Sequence, residues 1–181
     1  MQERAAQAEF SPCGRYRWWL ERRWDPQRAV VLFIGLNPSR ADGERDDPTL
    51  RRLQGFARNW GYGGLEVLNL FARISASPAA LRRCEDPVGP DNDRWLEQRL
   101  SALPAEGAVW LGWGNGGAWC ERDQRVRALL FRVLKPTEGP RLLTLGLTAS
   151  GQPRHPLYVP GDAQPLLLLH PGTEFSVVAT P

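Results

Sequence analysis

Three polar side chains stand where apolar segments of the sequence end. Asn37 lies in GLNPS directly after the run AVVLFI, Asn69 interrupts LEVLNLFA, and His155 lies in TASGQPRHPLY. A carboxamide offers a donor and an acceptor side by side, which suits the edge of a nucleobase or the holding of a water molecule. A histidine can donate a proton or stabilise a developing anion. These residue types predict recognition of a polar ligand, with acid or electrostatic chemistry at the histidine.

Each of these residues also has a simpler interpretation, which the sequence leaves open. Asn37 could be a turn asparagine that bonds its own backbone. A buried amide at Asn69 requires hydrogen-bond partners, which either the next loop or a ligand could supply. His155 could be an exposed loop residue before a proline.

The elements that must position these residues follow from the apolar pattern. Unbroken apolar runs rich in branched residues predict buried strands, and amphipathic stretches predict helices; we expect strands over 29–34, 65–70, 108–111 and 141–147 and helices over 48–60, 90–103 and 118–130. This alternation predicts one α/β domain over 1–181, a three-layer αβα fold with a doubly wound, mainly parallel sheet.

The two ends of the chain give weaker patterns. The segment 10–24 partly alternates, with Tyr16, Trp18 and Leu20 on one side and Arg15 and Arg17 on the other, which predicts an N-terminal edge strand or β-hairpin arm. Residues 1–9 are polar and rich in alanine, so we expect a frayed end or a short helix there. The tail 166–181 receives no assignment.

Ligands of open α/β sheets bind at the carboxyl ends of the strands. This rule places Asn37, Asn69 and His155 on one rim with the glycine-rich loop 112–117. That loop, GWGNGG, formally matches a dinucleotide fingerprint, but it follows the third strand and lacks the acidic residue at the required distance. A tight turn with close helix packing explains its glycines better.

Other sequence features indicate neither metal nor cofactor. Cys13, Cys84 and Cys120 are scattered without zinc spacing and are expected to be reduced thiols. The sequence has no phosphate-binding GxxxxGK[ST] loop, no GxSxG elbow and no HExxH pair. The acidic cluster Asp42, Glu44, Asp46 and Asp47 fits helix capping, with a magnesium site as the alternative.

The composition gives a small positive net charge, and the sequence shows no pattern typical of a targeting signal. The chain has 181 residues and a formal net charge of +3, and Lys135 is its only lysine. The arginine excess fits phosphate contacts or merely a GC-rich genome. The sequence has no run of about 20 apolar residues and no signal-peptide core, so we expect a cytoplasmic protein that does not contact a membrane.

Longer segments resemble a known family. FSPCGRYRWWL, LFIGLNPSRAD, GFARNWGYGGLEVLNLFA, DPVGPDND and GLTASGQPRHPLYVP resemble the bacterial family called domain of unknown function 1643, over most of the chain. That family name implies no activity.

Shorter motifs resemble the uracil-DNA glycosylase superfamily. GLNPS looks like its water-activating motif in the asparagine variant, VLNLFA like the strand whose asparagine reads the base, and RHPLY like its His-Pro loop; LGWG lies where the superfamily has Trp-Gly. The resemblance implies that fold. It also implies catalytic roles for Asn37 and His155, substrate contacts from Gly35, Pro38, Ser39, Asn69, Phe71, Trp113 and Gly114, and nucleic-acid contacts from Arg154, Leu157 and Tyr158.

Three classes of function remain from the sequence. The first is a hydrolase of the N-glycosidic bond of a nucleobase in DNA or in a nucleoside, slow because asparagine cannot act as a general base. The second is a binding module that uses the same pocket without chemistry. The third is an unrelated small-molecule enzyme or an interaction protein, with the aromatic arm of Trp18, Trp19 and Trp24 contacting a partner. The sequence leaves the oligomeric state open.

Overall fold

A computed structural model describes residues 5–39, 44–134, 139–169 and 175–180. Its strands form one sheet in the order β1-β2-β4-β3-β5-β6-β7-β8. The strands are β1 (Ala5–Phe10), β2 (Arg17–Arg23), β3 (Val30–Gly35), β4 (Gly64–Asn69), β5 (Ala108–Leu111), β6 (Arg141–Thr144), β7 (Leu166–Leu169) and β8 (Ser176–Ala179). The helices are α1 (Pro48–Asn59), α2 (Pro78–Arg82), α3 (Asn92–Ala102) and α4 (Arg122–Val133), with 3₁₀ segments at Asn115–Glu121 and Pro156–Tyr158.

The sheet is mixed, so the expectation of a mainly parallel sheet is wrong. Only the central strands β4, β3, β5 and β6 run parallel. The pairings β1–β2, β2–β4, β6–β7 and β7–β8 are antiparallel, and within the described residues they outnumber the parallel pairings by four to three. Antiparallel strands at both edges replace the crossover helices that a parallel sheet would need. The α/β class itself is confirmed.

The central strands bury side chains on both faces. In β3, Val31 and Phe33 pack with α1, whereas Leu32 and Ile34 pack with the buried sides of α3 and α4. Because successive side chains of a strand point to opposite faces, an unbroken apolar strand requires helices on both sides. This arrangement fixes β3 at the centre and brings its carboxyl end close to the amino end of α1.

A β-bulge in β2 changes which side chains share a face. Trp19 pairs with Glu9 and Arg17 pairs with Phe10, so Trp18 is the additional residue. Trp18 and Trp19 both stack on Trp95 of α3, with ring centroids at 5.9 and 6.4 Å. The predicted simple alternation, with Trp18 beside Leu20, is therefore wrong. Leu20 and Arg17 point to the opposite face, the one that α1 covers.

The structure corrects the ends of the chain and the last predicted helix. Residues 5–10 form β1 and are neither frayed nor helical, because they pair with β2. The tail contains β7 and β8. The predicted helix over 118–130 is interrupted where Cys120 and Glu121 take φ values of 55° and 52°, and α4 begins only at Arg122. No helix in the described ranges has both the length and the apolar character needed to cross a bilayer.

Candidate functional site

The loops after β3, β5 and β6 surround a cleft at the carboxyl end of the central strands. Its outer part has a volume of about 440 Å³. A deep pocket of about 30 Å³ continues from it between β3, β4 and α1. Asn37, Ser39, Thr49 and His155 line both parts. We call residues 35–39 and 69 the strand-end wall, and residues 113–116 and 155–158 the loop wall.

Asn37 is fixed by hydrogen bonds on both sides of the cleft. Its Nδ2 donates to the carbonyl oxygens of Pro38 and Ser75, each at 3.2 Å. The first bond is local, as the turn interpretation predicts, but the second crosses to the segment before α2. With both N–H groups committed, Oδ1 remains as an acceptor and can hold a water molecule or a ligand donor.

Asn69 is the last residue of β4, and its side chain is buried. Its Nδ2 donates to the carbonyl oxygens of Leu68 at 3.2 Å and Asn37 at 3.3 Å, an amide orientation inferred from its neighbours. Gly35 lies opposite in register. A methyl group on Gly35 would approach Phe33 Cε1 to 2.9 Å and the Asn69 amide to 3.0 Å. The absence of a side chain at Gly35 therefore makes room for the Asn69 amide at the ends of the paired strands β3 and β4.

His155 is a neutral hydrogen-bond donor at the mouth of the deep pocket. Burial lowers the pKa of the imidazole below its ordinary value of 6.5, because desolvation disfavours the charged ring. Its Nδ1 accepts the backbone N–H of Leu157 at 3.3 Å. In the neutral ring the remaining nitrogen, Nε2, must then carry the proton.

Arg52 of α1 holds the turn that follows His155. Its Nε donates to the carbonyl oxygen of Pro156 at 2.9 Å, and a second nitrogen of the guanidinium donates to the carbonyl oxygen of Val159. These bonds connect α1 to the 3₁₀ segment Pro156–Tyr158. Arg52 is therefore a positioning residue for the loop wall.

The glycine-rich loop packs tightly against its surroundings. The N–H of Gly114 donates to the carbonyl oxygen of Pro153 at 2.8 Å, with φ of Gly114 at +67°. A methyl group on Gly112 would approach Phe33 Cε2 to 2.6 Å, and one on Gly117 would approach Trp113 Cδ1 to 2.2 Å. Close packing thus explains these glycines, as the sequence favoured over a dinucleotide fingerprint.

A comparison with protein families assigns the chain. The family described as "Protein of unknown function (DUF1643)" matches residues 17–157. The chain belongs to this family. No curated protein and no solved structure matches it. The DUF1643 segment includes every predicted site residue except Tyr158, and the resemblance to uracil-DNA glycosylases remains a prediction.

Most of the site residues predicted from the sequence meet at the cleft of this DUF1643 protein. The lining residues among them are Gly35, Asn37, Pro38, Ser39, Asn69, Trp113, Gly114, His155, Leu157 and Tyr158. Two predicted residues lie elsewhere. Phe71 is buried in the core, 5.0 Å from Trp119 between ring centroids. Arg154 is exposed, and its Nε donates to the carbonyl oxygen of Leu147 at 3.0 Å.

The sequence did not point to Arg17, which lines the deep pocket and is only 3% exposed. From the sequence, the position of Arg17 predicts the polar side of an edge strand. Its side chain is buried because of the bulge in β2 and the packing of α1. Arg82 lines the outer cleft. None of the described lining residues of either part is an aspartate or a glutamate. The charged side chains among the described lining residues are therefore those of arginines.

The acidic cluster before α1 has structural partners. Asp47 caps α1 by accepting the N–H of Leu50 at 2.8 Å. Asp46 accepts from Arg22 Nε at 2.8 Å and from Gln54 Nε2 at 2.6 Å. Asp42 lies outside the described residues. Across the described ranges, no three His, Cys, Asp or Glu side chains group as a metal site would require.

Proposed function

We propose that this protein hydrolyses the N-glycosidic bond of a nucleobase substrate, in DNA or in a nucleoside. One observation carries the proposal: Asn37, Asn69 and His155, which are distant in the sequence, line the same deep pocket. Their chemistry provides a neutral donor, a fixed acceptor and an amide at the buried end. The resemblance of GLNPS, VLNLFA and RHPLY to uracil-DNA glycosylase motifs supports the same function.

The volumes of the outer cleft and of the deep pocket fit this proposed function. Small-molecule sites commonly occupy about 300–1,000 Å³, so the outer cleft of about 440 Å³ accommodates a base with its sugar. The deep pocket of about 30 Å³ accommodates only one water-sized group. We therefore place an exocyclic atom of the base, or the attacking water, at the deep end.

Arg17 narrows the class of substrate. A guanidinium group only donates hydrogen bonds, and a buried guanidinium favours an oxygen acceptor or a negative charge. The exocyclic group that reaches the deep pocket should therefore be a carbonyl oxygen. Bases with carbonyl edges, such as uracil or an oxidised pyrimidine, fit better than bases that present an amino group there.

The reaction follows from these positions. Water held by Asn37 Oδ1 forms a bond to the anomeric carbon while the bond from that carbon to the base nitrogen breaks. The electron pair leaves with the base, whose negative charge is stabilised by the Nε2–H of His155 and by the Arg17 guanidinium. The proton released by the water finally reaches the departed base. Since Asn37 cannot accept a proton, the hydrolysis should be slow.

A second candidate is a binding module that uses the same cleft without chemistry. The observation that favours it is that the described lining residues contain no carboxylate that could act as a general base on water. Such a module would recognise a base with a carbonyl edge through the same donors.

One experiment separates these candidates. The protein is incubated with oligonucleotides and nucleosides that carry uracil or modified bases, and abasic sites or released bases are measured beside binding at low salt. Hydrolysis that is lost in Asn37→Ala and His155→Ala, but kept in the exposed helix-end control Asn59→Ala, supports the enzyme. Binding without hydrolysis supports the module. Absence of both activities in the folded protein contradicts the two candidates together.

A further inference from the structure

A second cleft lies between the turn that joins β1 to β2 and the segment after α2. Its volume is about 630 Å³, and none of its described lining residues lines the first cleft. Two thiols face it, from Cys13 and Cys84, together with the side chains of Arg15, Arg73 and Arg83. Two cysteines among arginines are the setting in which thiol chemistry is favoured.

The turn presents Cys13 to solvent in a fixed position. The N–H of Gly14 donates to the carbonyl oxygen of Ser11 at 2.9 Å, and Gly14 takes a φ of +69°. Ser11 itself is buried, and its Oγ lies 3.3 Å from Cys13 Sγ. The Ser11 hydroxyl also accepts the N–H of Tyr16 at 3.2 Å, which holds it against the thiol.

These neighbours favour the charged form of the Cys13 sulfur. Hydrogen bonds from the side chains of Ser11 and Arg15 lower the pKa of the thiol from 9.0 to about 7. About half of the Cys13 side chains would then be thiolates at neutral pH, and the thiolate is the nucleophilic form. Cys84 is half-buried and donates to the carbonyl oxygen of Ala80 at 3.4 Å, so its sulfur is less accessible.

The charges around the thiols favour an anionic partner. The described lining residues of this second cleft include three guanidinium groups and two carboxylates, those of Glu85 and Asp86. Besides these and the two thiols, Tyr16 is the remaining titratable side chain among them. The carboxylates of a small anionic disulfide can pair with the arginines while its sulfur approaches Cys13.

We propose that Cys13 is a site of reversible mixed-disulfide formation with a small anionic disulfide, of which glutathione disulfide is the probe. The Cys13 thiolate attacks one sulfur of the probe, a new S–S bond forms, and the old S–S bond breaks. Glutathione leaves as a thiolate and takes up a proton from water. The exchange consumes one disulfide and makes one disulfide, so it needs no further oxidant.

The test uses the full chain and its own cysteines as comparators. The protein is treated with glutathione disulfide at pH 7, and modification of Cys13, Cys84 and the exposed Cys120 is followed by peptide mass spectrometry. We expect Cys13 to be modified at least threefold faster than Cys120, and the modification to reverse with reduced glutathione. First modification of Cys84 or Cys120 would overturn the proposal.

Two further measurements test the physical cause of the reactivity of Cys13. The alkylation rate of Cys13 by iodoacetamide should rise with pH to a plateau with a midpoint near 7, and Ser11→Ala or Arg15→Gln should move that midpoint upwards. Cystamine, a cationic disulfide, should react more slowly with Cys13 than glutathione disulfide does. Equal rates for the two disulfides, or a rate that still rises above pH 9, would contradict it. These readouts do not depend on the function of the first cleft.

Discussion

The two walls of the first cleft are held in different ways. The strand-end wall continues the sheet, since the N–H groups of Leu70 and Phe71 donate to the carbonyl oxygens of Gly35 and Leu36, both at 2.9 Å. Asn92 of α3 adds bonds from Nδ2 to the carbonyl oxygens of Asn69 at 3.1 Å and Leu70 at 3.0 Å.

Residues 155–158 of the loop wall have fewer supports. Leu157 and Tyr158 are 46% and 85% exposed. Beyond the packing of Pro156, the hydrogen bonds of Arg52 connect this turn to α1. The difference implies that the strand-end wall sets which ligand edge is read, while residues 155–158 of the loop wall can adjust their position as a ligand enters.

The largest effect is expected from a methyl group in the strand-end wall. Gly35→Ala would place a carbon 2.9 Å from Phe33 Cε1 and 3.0 Å from the Asn69 amide. Overpacking of this kind lowers the free energy of unfolding by about 2 kcal/mol and should close the entrance to the deep pocket. Urea denaturation measures the loss.

Gly55→Ala is the matched control, because Gly55 is exposed within α1 and a methyl group there meets no atom within 4 Å. That change should raise the free energy of unfolding by up to about 1 kcal/mol, as alanine favours the helix. If both variants had the same stability as the wild type, the strand-end wall would not be rigid.

A smaller effect is expected when the loop wall loses its support. Arg52→Ala removes the donors to Pro156 and Val159, and we expect a loss of about 1 kcal/mol with faster amide exchange at Leu157 and Tyr158. Hydrogen exchange followed by mass spectrometry measures this local opening.

Arg51→Ala controls for charge and position, since Arg51 is exposed and donates to the carbonyl oxygen of Asp46 instead. Its exchange at residues 155–158 should match the wild type. Equal protection of this turn in Arg52→Ala and Arg51→Ala would remove Arg52 as the positioning residue.

The smallest effect concerns the protonation of His155. Burial lowers the pKa of its imidazole in the folded chain below the unfolded value of about 6.5. Between these two pKa values the unfolded chain binds more protons, so stability falls as the pH drops below about 6.5. Above that pH the ring is neutral in both states and contributes no slope.

His155→Gln should reduce the loss of melting temperature between pH 7 and pH 5. Because the chain contains only two histidines, NMR titration can follow His155 directly. An imidazole that titrates above pH 6.5 would contradict the assignment of a neutral donor.

The central elements could be predicted because their sequences agree with their surroundings. β3, β4, β5 and α1 lie within a residue or two of the expected ranges, since unbroken apolar runs and the Asp47 cap carry local signals. β1 could not be predicted, because its polar, alanine-rich sequence is a strand only by pairing with β2. The antiparallel directions of the edge strands likewise depend on pairings between segments, which no local pattern in the sequence shows.

The residues of the first cleft also divide into those that the sequence predicts and those that only long-range contacts bring to the site. Asn37, Asn69 and His155 each interrupt or follow an apolar strand, so their position at one sheet edge follows from chain order. The burial of Arg17 required knowledge of the bulge and of α1. Arg52 gives no local signal at all, since its bonds reach Pro156 and Val159, about a hundred residues away in the sequence.

The bulge at Trp18 shifts, by one residue, the alternation of side chains between the two faces of β2. In a strand without a bulge the side chains alternate strictly, so Arg17, three residues before Leu20, would project to the face opposite that of Leu20. By placing Trp18 and Trp19 on the same face, the bulge keeps the guanidinium of Arg17 on the α1 face, in the pocket that the amide of Asn69 also lines. Whether the deep pocket contains an arginine therefore depends on one additional residue in β2, the strand that pairs with β4.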